Sequence, residues 1–323
     1  MIATAPVLEV RDLSVDYLTE RGAVRAVDCV SLDVGKGEFL GIVGESGCGK
    51  STLLFAIARL LAPPAEIVAG SVRFGGHDMV SLDEDELRHV RWRDYSVVMQ
   101  SAMNALNPVM TIGAQLRDAI EAHERLPAAR VRDQCDEVMR LVGIDPEHLR
   151  SYPHQLSGGM RQRAMIAMAL VFRPALVIMD EPTSALDVVA QRSLMLKIKD
   201  LQRRIGFAAV FVTHDMSLVS HFSDRLAVMY AGQVVEIGAT RAVFEDPKHP
   251  YAKGLMQSFP SISGPREELV GIAGSPPDLR RPPAGCRFHP RCPSVMPRCH
   301  TEAPPFYERP RDLVRCHLYA DDR

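Results

Sequence analysis

Residues 44–52 combine glycines, a lysine and three hydroxyl side chains in a spacing that suits a bound triphosphate. The run satisfies the pattern G-x-x-x-x-G-K-[ST] and consists of Gly44, Glu45, Ser46, Gly47, Cys48, Gly49, Lys50, Ser51 and Thr52. Glycines let consecutive backbone N–H groups turn inward around a phosphate. We expect Lys50 to reach the β- and γ-phosphates of ATP and the Ser51 hydroxyl to take a Mg²⁺ position. Cys48 stands at a variable loop position, so we expect it to pack and not to act as a nucleophile.

Two acidic residues follow a second apolar run. Leu176–Met179 predicts a buried strand, and Asp180 and Glu181 come directly after it. Open α/β sheets place ligands at this end of their strands. We expect Asp180 to hold Mg²⁺ through its water shell and Glu181 to polarise the attacking water. Such a pair alone could equally cap a helix; the upstream glycine loop favours the catalytic interpretation.

A third motif lies between these two, at residues 156–162, with the sequence LSGGMRQ. Ser157, Gly158 and Gly159 at a helix N-terminus would offer hydroxyl and amide donors to a phosphate. A plain serine N-cap would account for the same three residues. The full run, however, resembles the signature motif of the ABC ATPases. The resemblance implies that these residues contact ATP held by a second motor subunit.

Four further residues match the same family. Gln100 resembles the glutamine that touches Mg²⁺ or its water, and His214 resembles the histidine that contacts the γ-phosphate. Residues 184–187, which end in Asp187, resemble the loop at the seam of the motor dimer. Tyr17 resembles the aromatic residue that stacks on adenine, although a lone tyrosine on a strand is often only a packing residue. The resemblance thus implies catalytic roles for Glu181, His214 and Gln100.

The elements around these motifs alternate short apolar strands, glycine-containing turns and helical periods. This alternation predicts an α/β fold with a mostly parallel sheet covered by helices. Within it, Thr52–Leu61 predicts a helix, and Ser81 with Glu84 predicts a capping box at the start of another. The resemblance implies an ABC-type P-loop NTPase with a mixed or parallel sheet core, an N-terminal antiparallel β subdomain and a helical subdomain over about residues 101–165.

Composition divides the chain in two. We expect a nucleotide-binding domain over residues 1–245, followed by a proline-rich extension over residues 246–323, in which the helical and strand periods fade. The net charge of −2 gives no basic field for nucleic acid. No apolar run approaches the about 20 residues that span a bilayer, and the N-terminus does not resemble a secretory signal. We therefore expect a cytoplasmic chain that reaches a membrane only through partners.

The resemblance extends to the peptide/nickel branch of bacterial ABC importers, and is closest to its dipeptide/oligopeptide D-type subunit. It is carried by residues 105–113 (ALNPVMTIG), 153–155 (PHQ), 165–170 and 249–251 (HPY). It implies a heterodimer with an F-type ATPase subunit, two transmembrane permease subunits and an extracytoplasmic solute-binding protein. It also implies a peripheral location on the cytoplasmic face of the inner membrane. The cargo would be a dipeptide, an oligopeptide or a related solute, with a nickel chelate as the alternative.

Four of the seven cysteines lie in the extension: Cys286, Cys292, Cys299 and Cys316. A cytosolic chain rarely keeps structural disulfides, so clustered cysteines suggest a metal. Four thiols could close a zinc site or hold one [4Fe–4S] cluster. The closely spaced cysteine pairs typical of zinc are missing, and the resembled subunits carry a [4Fe–4S] cluster in this tail. The cluster is therefore favoured, with zinc or unligated thiols as alternatives.

Two other functions remain open at this point. One is a soluble ABC ATPase that acts on DNA or ribosomes; such proteins usually carry two motor domains or a long coiled-coil insertion, and this sequence has neither. The other is a regulatory protein that binds ATP without turnover. The presence of the expected residue type at every matched position argues for a hydrolytic site.

Overall fold

The structure is a computed structural model that describes residues 5–100, 105–184, 186–258, 271–309 and 312–320. It divides into two compact units. The first unit comprises Met1–Leu8, Val34–Phe39 and Ser81–Phe211, and the second comprises Glu9–Asp33, Leu40–Val80 and Val212–Arg323.

The described strands are β1 (Leu8–Thr19), β2 (Gly22–Val34), β3 (Phe39–Val43), β4 (Ala65–Phe74), β5 (His77–Asp78), β6 (Tyr95–Val98), β7 (Leu176–Asp180), β8 (Ala208–Val212), β9 (Arg225–Tyr230), β10 (Gln233–Ala239), β11 (Tyr307–Glu308) and β12 (Asp312–Val314). The described α-helices are α1 (Lys50–Ile57), α2 (Glu84–Val90), α3 (Ile112–Glu121), α4 (Ala128–Leu141), α5 (Gly158–Leu170), α6 (Val188–Ile205), α7 (Met216–Phe222), α8 (Thr240–Glu245) and α9 (Pro250–Gln257). Short 3₁₀ helices cover Pro146–Arg150, Pro153–Gln155, His289–Arg291, Pro297–His300 and His317–Tyr319.

In the second unit, an N-terminal sheet has the strand order β2-β1-β4-β5. Two residues join β1 to β2, a connection that allows only antiparallel pairing, and β4 pairs antiparallel with β5. Gly70 lets β4 approach β1 closely: it has φ of +90°, and a Cβ there would lie 2.5 Å from the carbonyl oxygen of Arg11. Only glycine fits this position without backbone movement.

The same unit contains the strands in the order β11-β12-β10-β9-β3. β3 pairs parallel with β9 from Leu40↔Arg225 to Val43↔Val228, and all five residues of β3 are buried. A strand covered on both faces needs such a continuous apolar sequence. β10 pairs antiparallel with β12, with Glu236 opposite Val314. The extension after residue 245 therefore contains a helix, α9, and two strands, where the sequence suggested that regular periods fade.

In the first unit, the strand order is β8-β7-β6. β6 and β7 pair parallel from Tyr95↔Leu176 to Val98↔Met179, and every residue of both strands is buried. Parallel pairing brings the carboxyl ends of both strands to the same edge. Helices α3, α4 and α5 contact one another in the predicted helical region. They pack apolar stripes that include Leu116, Ile120, Val131 and Val138.

Two predicted helix starts are wrong by two residues. α2 is capped by Asp83 and not by Ser81: the Asp83 carboxylate accepts from the Glu86 backbone N–H at 2.9 Å, and the Glu86 carboxylate accepts from the Asp83 N–H at 3.0 Å. The acidic run contains two overlapping capping patterns, and this one satisfies two otherwise unpaired backbone donors. α1 begins at Lys50 and ends at Ile57, before Arg59 adopts a left-handed φ of +52°.

Within the described ranges, no helix is both long and apolar enough to cross a bilayer.

Candidate functional site

The loop between β3 and α1 has a backbone that only glycine can supply at two points. Gly44 has φ of +155° and Gly49 has φ of +102°. A Cβ on Gly44 would lie 2.1 Å from the carbonyl oxygen of Met229, and one on Gly49 would lie 2.2 Å from that of Ala26. Both are backbone atoms that cannot move aside cheaply. The glycine spacing of the motif is thus a requirement of this close approach.

Lys50 is the first residue of α1, and only 8% of it is exposed. Its ammonium donates to the carbonyl oxygens of Gly44 at 2.7 Å and Glu45 at 2.9 Å. This holds the positive charge against the carbonyl oxygens of the loop that leads into α1. A helix N-terminus and a cation in one concave loop form an anion site suited to phosphates.

Two neighbours complete the immediate surroundings of the loop. The Tyr17 hydroxyl lies 3.2 Å from the Thr52 hydroxyl, so the structure brings Tyr17 to the start of α1. Its stacking on adenine stays a prediction. Cys48 is buried, and burial raises the pKa of its thiol in spite of the nearby Lys50 ammonium. A protonated, buried thiol suits the packing role expected for Cys48.

In the first unit, the carboxyl ends of β6 and β7 carry the acidic residues and their amide neighbour. Asp180 is the last residue of β7 and is buried, whereas Gln100 is exposed. The Gln100 side-chain amide donates to the Glu181 carboxylate at 2.8 Å. Glu181 has a left-handed φ of +45°, which costs a non-glycine residue about 1–2 kcal/mol. The structure thus brings Gln100 and Glu181 into direct contact, next to the buried Asp180.

Ser157 caps α5, because its hydroxyl accepts from the Met160 backbone N–H at 3.3 Å. A hydroxyl that accepts here can still donate its own proton elsewhere. Ser157 is exposed, and a Cβ on Gly159 would meet nothing within 4 Å, so the helix N-terminus is open. Farther along the helix, the Gln162 side chain donates to the Pro182 carbonyl oxygen at 3.2 Å. This bond links α5 to the segment that follows Glu181.

The two remaining predicted residues lie at helix starts in different units. Asp187, in the first unit, caps α6 by accepting from the Ala190 N–H at 2.9 Å. Ala185, in the same predicted 184–187 loop, lies outside the described residues. His214, in the second unit, is exposed and lies two residues after the end of β8. Of the other predicted site residues, Ser157, Gly158 and Gly159 lie in the first unit. The 44–52 loop and Tyr17 lie in the second unit.

Contacts from the extension to the loop were not predicted from the sequence. The Glu45 backbone N–H donates to the Tyr251 hydroxyl at 2.9 Å. The Arg291 guanidinium donates to both carboxylate oxygens of Glu45, at 2.8 and 3.0 Å. Tyr251 also packs against Tyr230 and Phe288, with the three ring centroids 4.5–5.5 Å apart. The His-Pro-Tyr motif was a usable signal for Tyr251, but nothing distinguished Arg291 from the other arginines.

The four thiols of the extension interact with one another. The pKa of the Cys316 thiol is raised to about 11, chiefly by burial and in smaller part by the three other thiols. Burial likewise raises the pKa of Cys286 and Cys292. In the part of the chain that the structure describes, however, no three His, Cys, Asp or Glu side chains are placed to hold a metal ion. The predicted [4Fe–4S] or zinc site is therefore not supported by this geometry, because the thiols are near one another without converging as ligands.

The comparisons with known proteins agree with this picture. Residues 27–184 match the family described as ABC transporter, and residues 235–299 match the family described as oligopeptide/dipeptide transporter, C-terminal region. The dipeptide transport ATP-binding protein DppD of Caldanaerobacter subterraneus subsp. tengcongensis is 40% identical over 320 residues, which are 98% of either chain. The chain belongs to the ABC transporter family, in its dipeptide/oligopeptide branch.

Two further similarities extend the match. The oligopeptide transport ATP-binding protein OppD of Bacillus subtilis is 43% identical over 312 residues, 95% of this ABC ATPase and 87% of that protein. The dimeric post-hydrolysis structure of the ATP-binding cassette MJ0796, bound to ADP and Pi, has a TM-score of 0.64 and 28% identity, and covers 72% of this chain and 99% of that one. The predicted ABC-type P-loop NTPase fold and transport-coupled ATPase class are confirmed.

His249 is a buried titratable residue of this ABC ATPase, two residues from Tyr251. It is 1% exposed, and its Nδ1 accepts from the Tyr251 backbone N–H at 3.0 Å, so the imidazole is neutral with its proton on Nε2. Burial lowers the pKa of His249 to about 3. Glu236 accepts from the His249 backbone N–H, and burial raises its pKa to about 7. Burial thus shifts the two pKa values in opposite directions, and it keeps both side chains in their neutral forms over a wider pH range than in the unfolded chain.

We predict that the free energy of unfolding of the His249→Asn variant, relative to wild type, depends on pH. Below its ordinary pKa of 6.5, His249 takes up a proton in the unfolded chain but not in the folded one. Its contribution is thus present above 6.5 and is lost as the pH falls, by about 2 kcal/mol from pH 7 to pH 5. His249 is the N-cap of α9, and asparagine keeps a side-chain acceptor at this position without titrating. Urea denaturation at both pH values measures the difference.

The Glu236→Gln variant serves as the control of opposite sign. Its wild-type carboxyl, with a pKa of about 7, stabilises the folded state below the ordinary value of 4.5, and this stabilisation is lost as the pH rises through 7. A His249→Asn effect that is the same at pH 7 and pH 5 would contradict a neutral buried imidazole.

Proposed function

We propose that this chain is the ATP-hydrolysing motor subunit of a bacterial ABC importer for dipeptides or oligopeptides. The proposal rests chiefly on one observation: relatives named for dipeptide and oligopeptide transport match it at 40–43% identity over nearly its whole length. The match to the oligopeptide/dipeptide C-terminal family supports the same substrate class. A nickel chelate is the alternative cargo.

In this proposal, the Gly44–Thr52 loop binds the triphosphate of ATP. The Lys50 ammonium and the first amides of α1 neutralise the phosphate oxygens, and Tyr17 stacks on the adenine. Mg²⁺ needs only one or two protein oxygens beside phosphate and water, and hydroxyl, amide and carboxylate oxygens suit it. Ser51, Gln100 and Asp180 offer such oxygens. The ion would neutralise charge that develops on the transferred phosphoryl group.

Hydrolysis requires a water held in line with the γ-phosphate. Glu181 would accept a proton from this water, and its left-handed backbone and the Gln100 amide hold the carboxylate in place. His214 would donate to the γ-phosphate. These assignments are supported by the motif positions and by the Gln100–Glu181 contact.

The assembly would be completed by other chains. Ser157, Gly158 and Gly159 would cap ATP held by an F-type ATPase partner, with Asp187 at the seam, so that ATP closes a heterodimer. The open N-terminus of α5 supports this role. The motor would couple to two permease subunits, and through them to a solute-binding protein, at the cytoplasmic face of the inner membrane. A DNA- or ribosome-directed ATPase, the rival function, would instead co-purify with nucleic acid.

The Glu181→Gln variant tests the proposed motor in the purified transporter. We expect ATP binding to be retained, because the side-chain oxygen of glutamine can accept the same hydrogen bond from Gln100. Phosphate release should fall by at least about a hundredfold, because the general base is lost. A radiolabelled ATP filter assay and a phosphate-release assay measure the two properties. The control is Glu137→Gln, which alters an exposed ion pair with Arg173. Normal turnover by Glu181→Gln would refute the assignment of the base.

We further infer that Cys286, Cys292, Cys299 and Cys316 hold a [4Fe–4S] cluster, with zinc as the alternative. The number and long spacings of the thiols support this inference, as does the hydrogen bond from the Cys286 backbone N–H to the Cys299 carbonyl oxygen at 2.9 Å, which brings two of the four segments together. Ligation would need deprotonation of thiols whose pKa burial raises, which a bound metal centre enforces.

Anaerobically purified protein should contain about four iron and four sulfide per chain and absorb in the visible range. A Cys299→Ser variant should lose most of both, whereas Cys135→Ser, at a buried cysteine of α4, should keep them. If the protein contains stoichiometric zinc and no iron, the site is a zinc site and not a cluster. If it contains neither metal, the thiols are unligated and the inference is wrong.

A further inference from the structure

Glu45 joins the phosphate-binding loop to the extension: its carbonyl oxygen bonds within the loop, while its backbone N–H and its carboxylate bond to side chains of the extension. Its carbonyl oxygen accepts from the Lys50 ammonium at 2.9 Å. Its backbone N–H donates to the Tyr251 hydroxyl at 2.9 Å. Its carboxylate takes two hydrogen bonds from Arg291. The peptide units that hold the Lys50 ammonium are thus fixed from the other side by side chains of the extension.

Arg291 is itself held rigidly. Its side chain is 5% exposed, and it donates through Nε to the Ala273 carbonyl oxygen at 2.8 Å. Its Nη2 also lies 3.3 Å from the carbonyl oxygens of Ile272 and Gly274. The planar guanidinium therefore donates through Nε and Nη2 to backbone carbonyl oxygens of residues 272–274, and through Nη1 and Nη2 to the Glu45 carboxylate. A side chain fixed at both ends transmits position, which a flexible surface pair does not.

The location of this ion pair distinguishes it from a general stabilising contact. The two residues are separated by 246 positions in sequence, yet the acceptor is the second residue of the 44–52 loop and not a residue of the core. Since Cys292 follows Arg291 directly, the contact also joins the thiol-bearing segment to this loop. Small displacements of a loop that orients a reacting phosphate are costly to binding and catalysis.

We propose that Arg291 is a positioning residue for ATP, acting through the Glu45 carboxylate on the loop that carries Lys50. The proposal rests on the function proposed above, and it adds a contribution of the extension to that site. Arg291 does not touch the nucleotide in this account; it sets the orientation of the Glu45 peptide and hence of the Lys50 ammonium. The extension is therefore part of the ATP site and not only an appendage.

The test is a double-mutant cycle on the full-length chain, with the dissociation constant of Mg-ATP and the unfolding midpoint measured for each variant. We expect Arg291→Met and Glu45→Gln each to weaken ATP binding about tenfold, because the loop loses its outer support. The double variant should bind about as weakly as either single variant, since both changes remove one interaction. Arg291→Lys should restore part of the affinity, because it keeps the charge but not the planar fork.

The matched control is Arg280→Met, in the same extension, whose arginine pairs with the exposed Asp278. It should bind Mg-ATP as wild type does. Wild-type affinity in folded Arg291→Met, or a loss that persists in full in the Glu45→Gln background, would overturn the proposal. A lower unfolding midpoint without a change in affinity would show a structural role only and would also overturn it. If Arg291→Met fails to fold, Glu45→Gln removes the charge from the other partner of the same ion pair, and wild-type Mg-ATP affinity in that variant would overturn the proposal. Failure of wild type to bind Mg-ATP would instead reject the proposed function.

Discussion

The close approach of the Gly44–Thr52 backbone to its neighbours is the constraint on which the site depends. Gly44 and Gly49 lie against the carbonyl oxygens of Met229 and Ala26, at distances that no side chain tolerates. The loop can therefore curl around the Lys50 ammonium. A buried lysine whose ammonium donates to two carbonyl oxygens of the loop has few alternative positions, so the binding charge is arranged before any ligand arrives.

Different elements maintain the other functional groups. Buried parallel strands bring Gln100 and Glu181 to one edge of the first unit, and the left-handed backbone at Glu181 holds its carboxylate there at a cost in conformational energy. Helix caps place Ser157 and Asp187. In the second unit, the extension supplies Arg291 and Tyr251 to the loop. Local backbone geometry positions most of the site, and long-range ion pairing completes it.

The sequence was a good guide wherever the cause of structure is local. The apolar runs predicted β3 and β7, and the glycine spacing predicted the loop. Ambiguous local signals shifted element boundaries, as at α2, where two capping patterns overlap. Contacts between distant segments could not be predicted: β12 pairs with β10, and Arg291 pairs with Glu45, without any local pattern that marks them. The same limit applies to the thiols, whose spacing could not show whether they converge on a metal.

The most direct test of the account is a calorimetric titration of the full-length chain with ATP and Mg²⁺, comparing wild type with Lys50→Met. The account predicts one ATP per chain for wild type. It predicts affinity about a hundredfold weaker for the variant, because charge-assisted hydrogen bonds to phosphate are lost while the methylene packing remains. Equal affinity of the two proteins, or no binding by wild type, would contradict the claim that this loop holds the triphosphate.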